Sequence, residues 1–191
     1  MLILCLLVST YLAYGYLRNK RHIKDIYNKK GKLVYLTYGL PLEGDRENAD
    51  WVIANKWGFT YKRVAGCTVT TQLLDSVNAH NDLVFLVLTK RFGKNWNDKF
   101  AFEADAEYKR EQVVAKLVRN EDFIIKTQAL LKEEGNGLHF KMDPINNTTQ
   151  YDVRASGWNM GPGKVEWVNY YKLKVDYKSG KVILLSDKIE K

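Results

Sequence analysis

The run KVEWVNYYKLKVDYK, residues 164–178, is the clearest strand in the chain and decides the class of its C-terminal half. Its odd positions Val165, Trp167, Tyr171, Leu173, Val175 and Tyr177 are apolar, and they alternate with Lys164, Glu166, Lys172, Lys174, Asp176 and Lys178. Successive strand side chains point to opposite faces, so the pattern predicts one face on a core and one in water. Lys178-Ser179-Gly180 gives a tight turn into the apolar run 182–185, completing a hairpin. Upstream, Leu138, Phe140 and Met142 alternate with His139 and Lys141, and Tyr151, Val153 and Ala155 alternate with Asp152 and Arg154. The back half therefore predicts an antiparallel meander covered on one side, with the helix that ends at Gly135 as its cover.

The front half reads differently. Leu33 to Leu36 is a short strand closed by Gly39 and Pro41, and residues 45–57 carry helical spacing that Gly58 ends. Residues 59–69 read as a second strand with Phe59, Tyr61, Ala65, Cys67 and Val69 on one face, broken only by Arg63. Thr70 or Thr71 can cap a helix whose apolar stripe is Leu73, Val77, Val84, Leu88 and Phe92, stopped by Gly93. Residues 103–119 continue helical with Val113, Val114 and Leu117. Another helix opens at Asn120 or Glu121 and carries Phe123, Ile124, Leu130 and Leu131. The expected fold is α+β: a βαβα front half, then helices and a C-terminal antiparallel β-meander, behind an N-terminal transmembrane helix.

That last element rests on MLILCLLVSTYLAYGYL, residues 1–17, which contains no charge. A helix of that length reaches about 25 Å, the lower limit for a hydrocarbon core. A cleaved signal peptide is the rival reading, with Ala13-Tyr14-Gly15 as a small-x-small site, although no charged stretch precedes the apolar run. RNKRHIK follows at once, so Arg18, Lys20, Arg21 and Lys24 form a basic membrane-proximal segment within 18–30. The positive-inside rule then predicts a single-pass membrane protein with a cytoplasmic body, and an exported body is the alternative. Six cations against Asp25 give the first 30 residues +5 of the chain's net +8. The remaining +3 lacks the cationic footprint of a nucleic-acid binder, so no nucleic-acid partner is expected.

Two motifs carry a resemblance. KWGFTYKRVAGC at 56–67, a following helix with His80-Asn81-Asp82, and KRFGKNW at 90–96 resemble the bacterial FEKKY-domain-containing proteins. Arg91-Phe92 stands where that family carries Lys-Tyr. The likeness covers about residues 23–130 and assigns 31–119 to a FEKKY-like α/β region, with 120–191 as helix plus meander. It implies no catalytic residues, since the family resembled is one of unknown function. More weakly, Tyr171 to Val182 is similar to the terminal hairpin of PepSY-type modules.

Candidate sites are few. Cys67 on the apolar face of its strand reads as a small buried hydrophobe. As an alternative it is the nucleophile of a thiol-dependent enzyme, with His80 as base and Arg63 holding an anion. Arg63, a cation on an apolar face, calls for a carboxylate or a bound anion. GWNMGPG at 157–163 reads as an aromatic-tipped loop whose Trp158 and Met160 could grip a peptide or a membrane. Three scattered histidines and two separated cysteines predict no metal site, and no cofactor motif is present. The reading that results is a membrane-anchored, non-catalytic module binding a protein or peptide partner, of unknown oligomeric state.

Overall fold

The computed structural model describes residues 26–40, 44–133, 135–146, 148–159 and 165–187. The chain is α+β, with four helices and two sheets among the described residues. In order these are β1 (Leu33–Tyr38), α1 (Gly44–Lys56), β2 (Phe59–Ala65), α2 (Thr71–Phe92), α3 (Trp96–Arg119) and α4 (Asp122–Glu133). The strands β3 (His139–Pro144), β4 (Gln150–Asn159), β5 (Glu166–Asp176) and β6 (Lys181–Ser186) follow. The apolar run 1–17 and the basic segment with Arg18, Lys20, Arg21 and Lys24 lie outside the described residues. No helix among the described residues is long and apolar enough to cross a membrane.

The chain divides into two compact units that interleave along the sequence. One gathers the described residues up to Leu40 with Ala54–Lys99, and the other takes those up to Ile53 together with everything from Phe100.

In the first unit β1 and β2 pair in parallel, from Leu33 opposite Phe59 to Tyr38 opposite Ala65. Parallel pairing demands a crossover, and α1 is the helix that intervenes in the chain. A two-stranded sheet has two open edges, and α2 closes one of them. His80 donates from Nε2 to the Val34 carbonyl at 2.7 Å. Asn81 then treats Leu36 as a neighbouring strand would, donating from Nδ2 to its carbonyl and accepting its N–H at Oδ1, both at 2.9 Å. The Val34 N–H is taken by the Ile26 carbonyl at 2.8 Å. The helix that does this starts where the sequence predicts: Thr70 is its N-cap, its hydroxyl accepting from the Leu73 N–H at 3.2 Å. Its buried stripe is Val77, Val84 and Leu88, and the Gly93 N–H closes it on the Thr89 carbonyl. Phe59 and Trp96 are buried, and Phe59, Tyr61, Phe85 and Trp96 form a connected aromatic cluster.

The strand β2 is shorter than its sequence pattern. It stops at Ala65 because its only partner stops at Tyr38, where Gly39 turns the chain at a φ of 95°. The continuation to Val69 predicted from alternation has no strand to pair with.

In the second unit four antiparallel strands follow one another in the order β3-β4-β5-β6. One face carries Met142, Tyr151, Val153, Ala155, Leu173 and Val175 into a core completed by Val114, Ala115 and Val118 of α3 and by Ile124 and Leu131 of α4. The predicted one-sided cover is thus made by two helices. Val113 and Leu130, read as core residues, point outward instead, at 45% and 65% exposure. Each is adjacent in sequence to a residue that does face inward, Val114 and Leu131, so the stripe is narrower than the apolar runs suggest.

The strand that opened the sequence analysis does not keep a single phase. Ala155 pairs with Tyr171 but Ser156 pairs with Asn169, so Tyr170 is an extra residue, a β-bulge. Beyond it the faces exchange: Val168 is 1% exposed and inward, while Trp167 is 44% exposed and outward. The predicted apolar row from 165 to 177 therefore splits between the two faces at the bulge.

Candidate ligand-binding face of the four-stranded sheet

Register places the outward side chains of β3, β4 and β5 in rows that cross the strands. Trp158 lies opposite Trp167, Ser156 lies between His139 and Asn169, and Arg154 lies between Lys141 and Lys172. In the next row Asp152 lies between Asp143 and Lys174. The two tryptophans meet edge to face, with centroids 5.3 Å apart, and each is 44% exposed. The His139 ring stands 5.2 Å from that of Trp167. An open groove of about 320 Å³ lies beside this cluster, lined by His139, Lys141, Arg154, Ser156, Trp167 and Asn169 with Phe140. Ser156 donates to Asn169 Oδ1 at 2.7 Å, which fixes the groove's polar floor.

The electrostatics of the face are lopsided. Arg154 binds Asp143 Oδ2 at 3.0 Å, and Lys141 reaches the other oxygen of the same carboxylate at 3.8 Å. One anion is thereby shared by two cations on a surface where such pairs contribute at most about 1 kcal/mol. Lys141, Arg154, Lys172 and Lys174 face only Asp143 and Asp152 in these rows.

The tryptophan row is held from behind by close packing. A Cβ on Gly157 would sit 2.9 Å from the Gly137 carbonyl oxygen and 3.5 Å from both Leu131 and Tyr170, so only glycine fits there unchanged. The Tyr170 hydroxyl donates to the Trp158 carbonyl at 3.3 Å.

Deeper in the same unit lies a polar network that sequence reading did not find. Glu107 and Glu111 of α3 are 3% and 0% exposed. Glu107 accepts from the Tyr151 hydroxyl at 2.6 Å and pairs with Arg110. Burial, reinforced by that carboxylate, raises the Tyr151 hydroxyl above its ordinary range. Glu111 accepts from Asn48 Nδ2 at 2.6 Å, and the same amide donates to the Met142 carbonyl at 2.6 Å. Both carboxylates are engaged by donors from other elements, which ties α1 and α3 to β3 and β4. The signal was available: Glu107 and Glu111 are four apart, on the stripe that continues to Val114, Ala115 and Val118.

The residues singled out from sequence fall in separate places. Trp158 is exposed as expected, but it belongs to strand β4, because β4 runs on to Asn159 opposite Glu166. Met160 lies outside the described residues. Cys67 is exposed, not buried, since the strand meant to bury it has already ended. Arg63 is also exposed, so its charge meets water and no buried anion is required of it. His80 spends its Nε2 proton on Val34, about 13 Å along the helix axis from Thr71. Trp167 and His139 were passed over: Trp167 because it seemed to share a face with Leu173, His139 because it faces outward. The polar Asn169 interrupting the apolar row was the clue to the change of phase. Among the described residues no group of three or more His, Cys, Asp or Glu side chains could hold a metal ion. Comparisons with protein-family models, with curated proteins and with solved structures return no match for this chain.

Proposed function

We propose that this chain is a membrane-tethered, non-catalytic module that binds a protein or peptide partner through the outer face of its four-stranded sheet. The carrying observation is the Trp158–Trp167 pair, two large rings held edge to face in solvent beside a polar groove. Tryptophan is enriched among the residues that dominate binding energy, and a pair held by a bulge and a glycine loses little freedom when a ligand covers it. The tether rests on the uncharged residues 1–17 and the cations that follow, which place the body on the cytoplasmic side by the positive-inside rule. Membership of the FEKKY-like group belongs to the same proposal.

The test is selection of a displayed random-peptide library on the full chain in a neutral detergent. Recovered peptides should bind the wild type and lose at least ten-fold in affinity for Trp158→Ala and for Trp167→Ala. Failure to enrich any peptide, or enrichment of peptides indifferent to both substitutions, overturns the reading. A reporter fused after Lys191 tests orientation, and activity on the exported side would reverse it.

A further inference from the structure

We propose that the outer face recognises an extended acidic peptide, with a carboxylate side chain and an aromatic side chain four residues apart. This rests on the binding-face reading above and adds the chemistry of the partner. Two observations carry it. The first is the row Lys141–Arg154–Lys172, three cations directly opposite one another on three adjacent strands. Like charges in that relation destabilise a strand pair, so the row works against the fold that holds it and favours an anion laid across it. Asp143 already serves two members of the row, which leaves the stripe with excess positive charge.

The second observation is spacing. Arg154, Ser156 and Trp158 point outward in succession along β4, each two residues from the last. At about 3.3 Å per residue, the cation row and the tryptophan pair are about 13 Å apart. An extended peptide lying along β4 advances by the same amount over four residues, so a carboxylate at one position meets Arg154 when an aromatic ring at the fourth residue on meets Trp158. Ser156, Asn169 and His139 between them offer polar groups to the intervening backbone. Two carboxylates on the same face, Asp143 and Asp152, and a net charge of only +3 beyond residue 30, tell against a polyphosphate as the occupant.

The experiment is fluorescence polarisation on the full chain in a neutral detergent, with four synthetic peptides of equal length. One carries glutamate and tryptophan four apart; one carries them adjacent; one has glutamine for the glutamate; one has alanine for the tryptophan. The first should bind at least ten-fold more tightly than each of the others. Arg154→Gln should abolish the preference for glutamate over glutamine while keeping the preference for tryptophan. Lys141→Gln should weaken the glutamate preference in the same direction, and it keeps the test open should Arg154→Gln disturb the fold. Equal binding of all four peptides overturns the inference. If library peptides bind through Trp158 while the four-apart peptide shows no advantage, the binding face stands and the acidic ligand falls. If no peptide binds at all, both fall. Tighter binding of a single-stranded oligonucleotide, or of phosphatidylserine vesicles, through the same residues also overturns it.

Discussion

Tyr151→Phe removes a single oxygen from the core of the second unit and leaves the ring in place. The lost hydroxyl donates to Glu107 Oε1 at 2.6 Å, between residues 2% and 3% exposed, so no water replaces it freely. A hydrogen bond to a charged group contributes about 1.5–3 kcal/mol. For a chain of this size that lowers the melting midpoint by roughly 3–12 °C near neutral pH. The alkaline limb gives an independent check. Burial, then the Glu107 bond, raises the folded hydroxyl above the value of about 10 that it has when unfolded. Its contribution is therefore complete below about pH 10 and is lost above that, by at most about 1.4 kcal/mol per pH unit, until the folded hydroxyl itself ionises. Phenylalanine has no such proton, so the gap between wild type and variant narrows as pH climbs through that range. Urea unfolding followed by circular dichroism near neutrality and above about pH 10 measures both effects. A Tyr151→Phe, Glu107→Gln double-mutant cycle isolates the pair. A variant as stable as wild type near neutrality, or a gap that stays constant into the alkaline range, would refute the reasoning.

Three other substitutions follow from local geometry. Asn81→Ala should cost about 1–3 kcal/mol by leaving both backbone groups of Leu36 without their partner, whereas Asn81→Asp keeps the acceptor for the Leu36 N–H. Amide exchange at Leu36 should accordingly accelerate in the first variant far more than in the second. Gly157→Ala should destabilise the second unit by about 1–3 kcal/mol through the contact with Gly137, while Gly66→Ala, which meets nothing within 4 Å, stays close to wild type in the same urea titration. The Asp176 carboxylate accepts from the backbone N–H groups of Ser179 and Lys178 and from the Thr149 hydroxyl, bonds that hold its pKa below the ordinary carboxylate value. Its contribution to stability is thus present above about pH 4 and lost as pH falls through the lowered value, and Asp176→Asn should flatten that acid limb.

Helices and strands announced themselves wherever one residue's environment repeats. The cap at Thr70, the stop at Gly93 and the alternation of 151–155 depend on neighbours a few residues away, and all three are present in the structure. What sequence hid depends on a second chain segment. Nothing within residues 59–69 says that β2 will lose its partner at Tyr38, yet that loss is what puts Cys67 in water. His80 has the spacing of a buried-stripe residue and is half-buried, but its role as an edge clamp required knowing that β1 would pass beneath it. Asn81, next to it, carried no signal because an amide on a helix is ordinarily solvated. The candidate binding face was legible only in part, as one exposed tryptophan, because its other half depended on which way a fifteen-residue strand turns at its midpoint.

That turn has a consequence for how the chain tolerates change. The side of the sheet on which Trp167 stands is set by a count, not by a side chain: one supernumerary position at Tyr170 puts residues 165–169 half a period out of step with 171–177. Any residue can fill the extra position and the count survives. Removing the position restores the step, swinging Trp167 and Asn169 toward the core and Val168 into water, so the aromatic pair would be dismantled by a deletion that touches neither tryptophan. Along this strand, length carries information that identity does not.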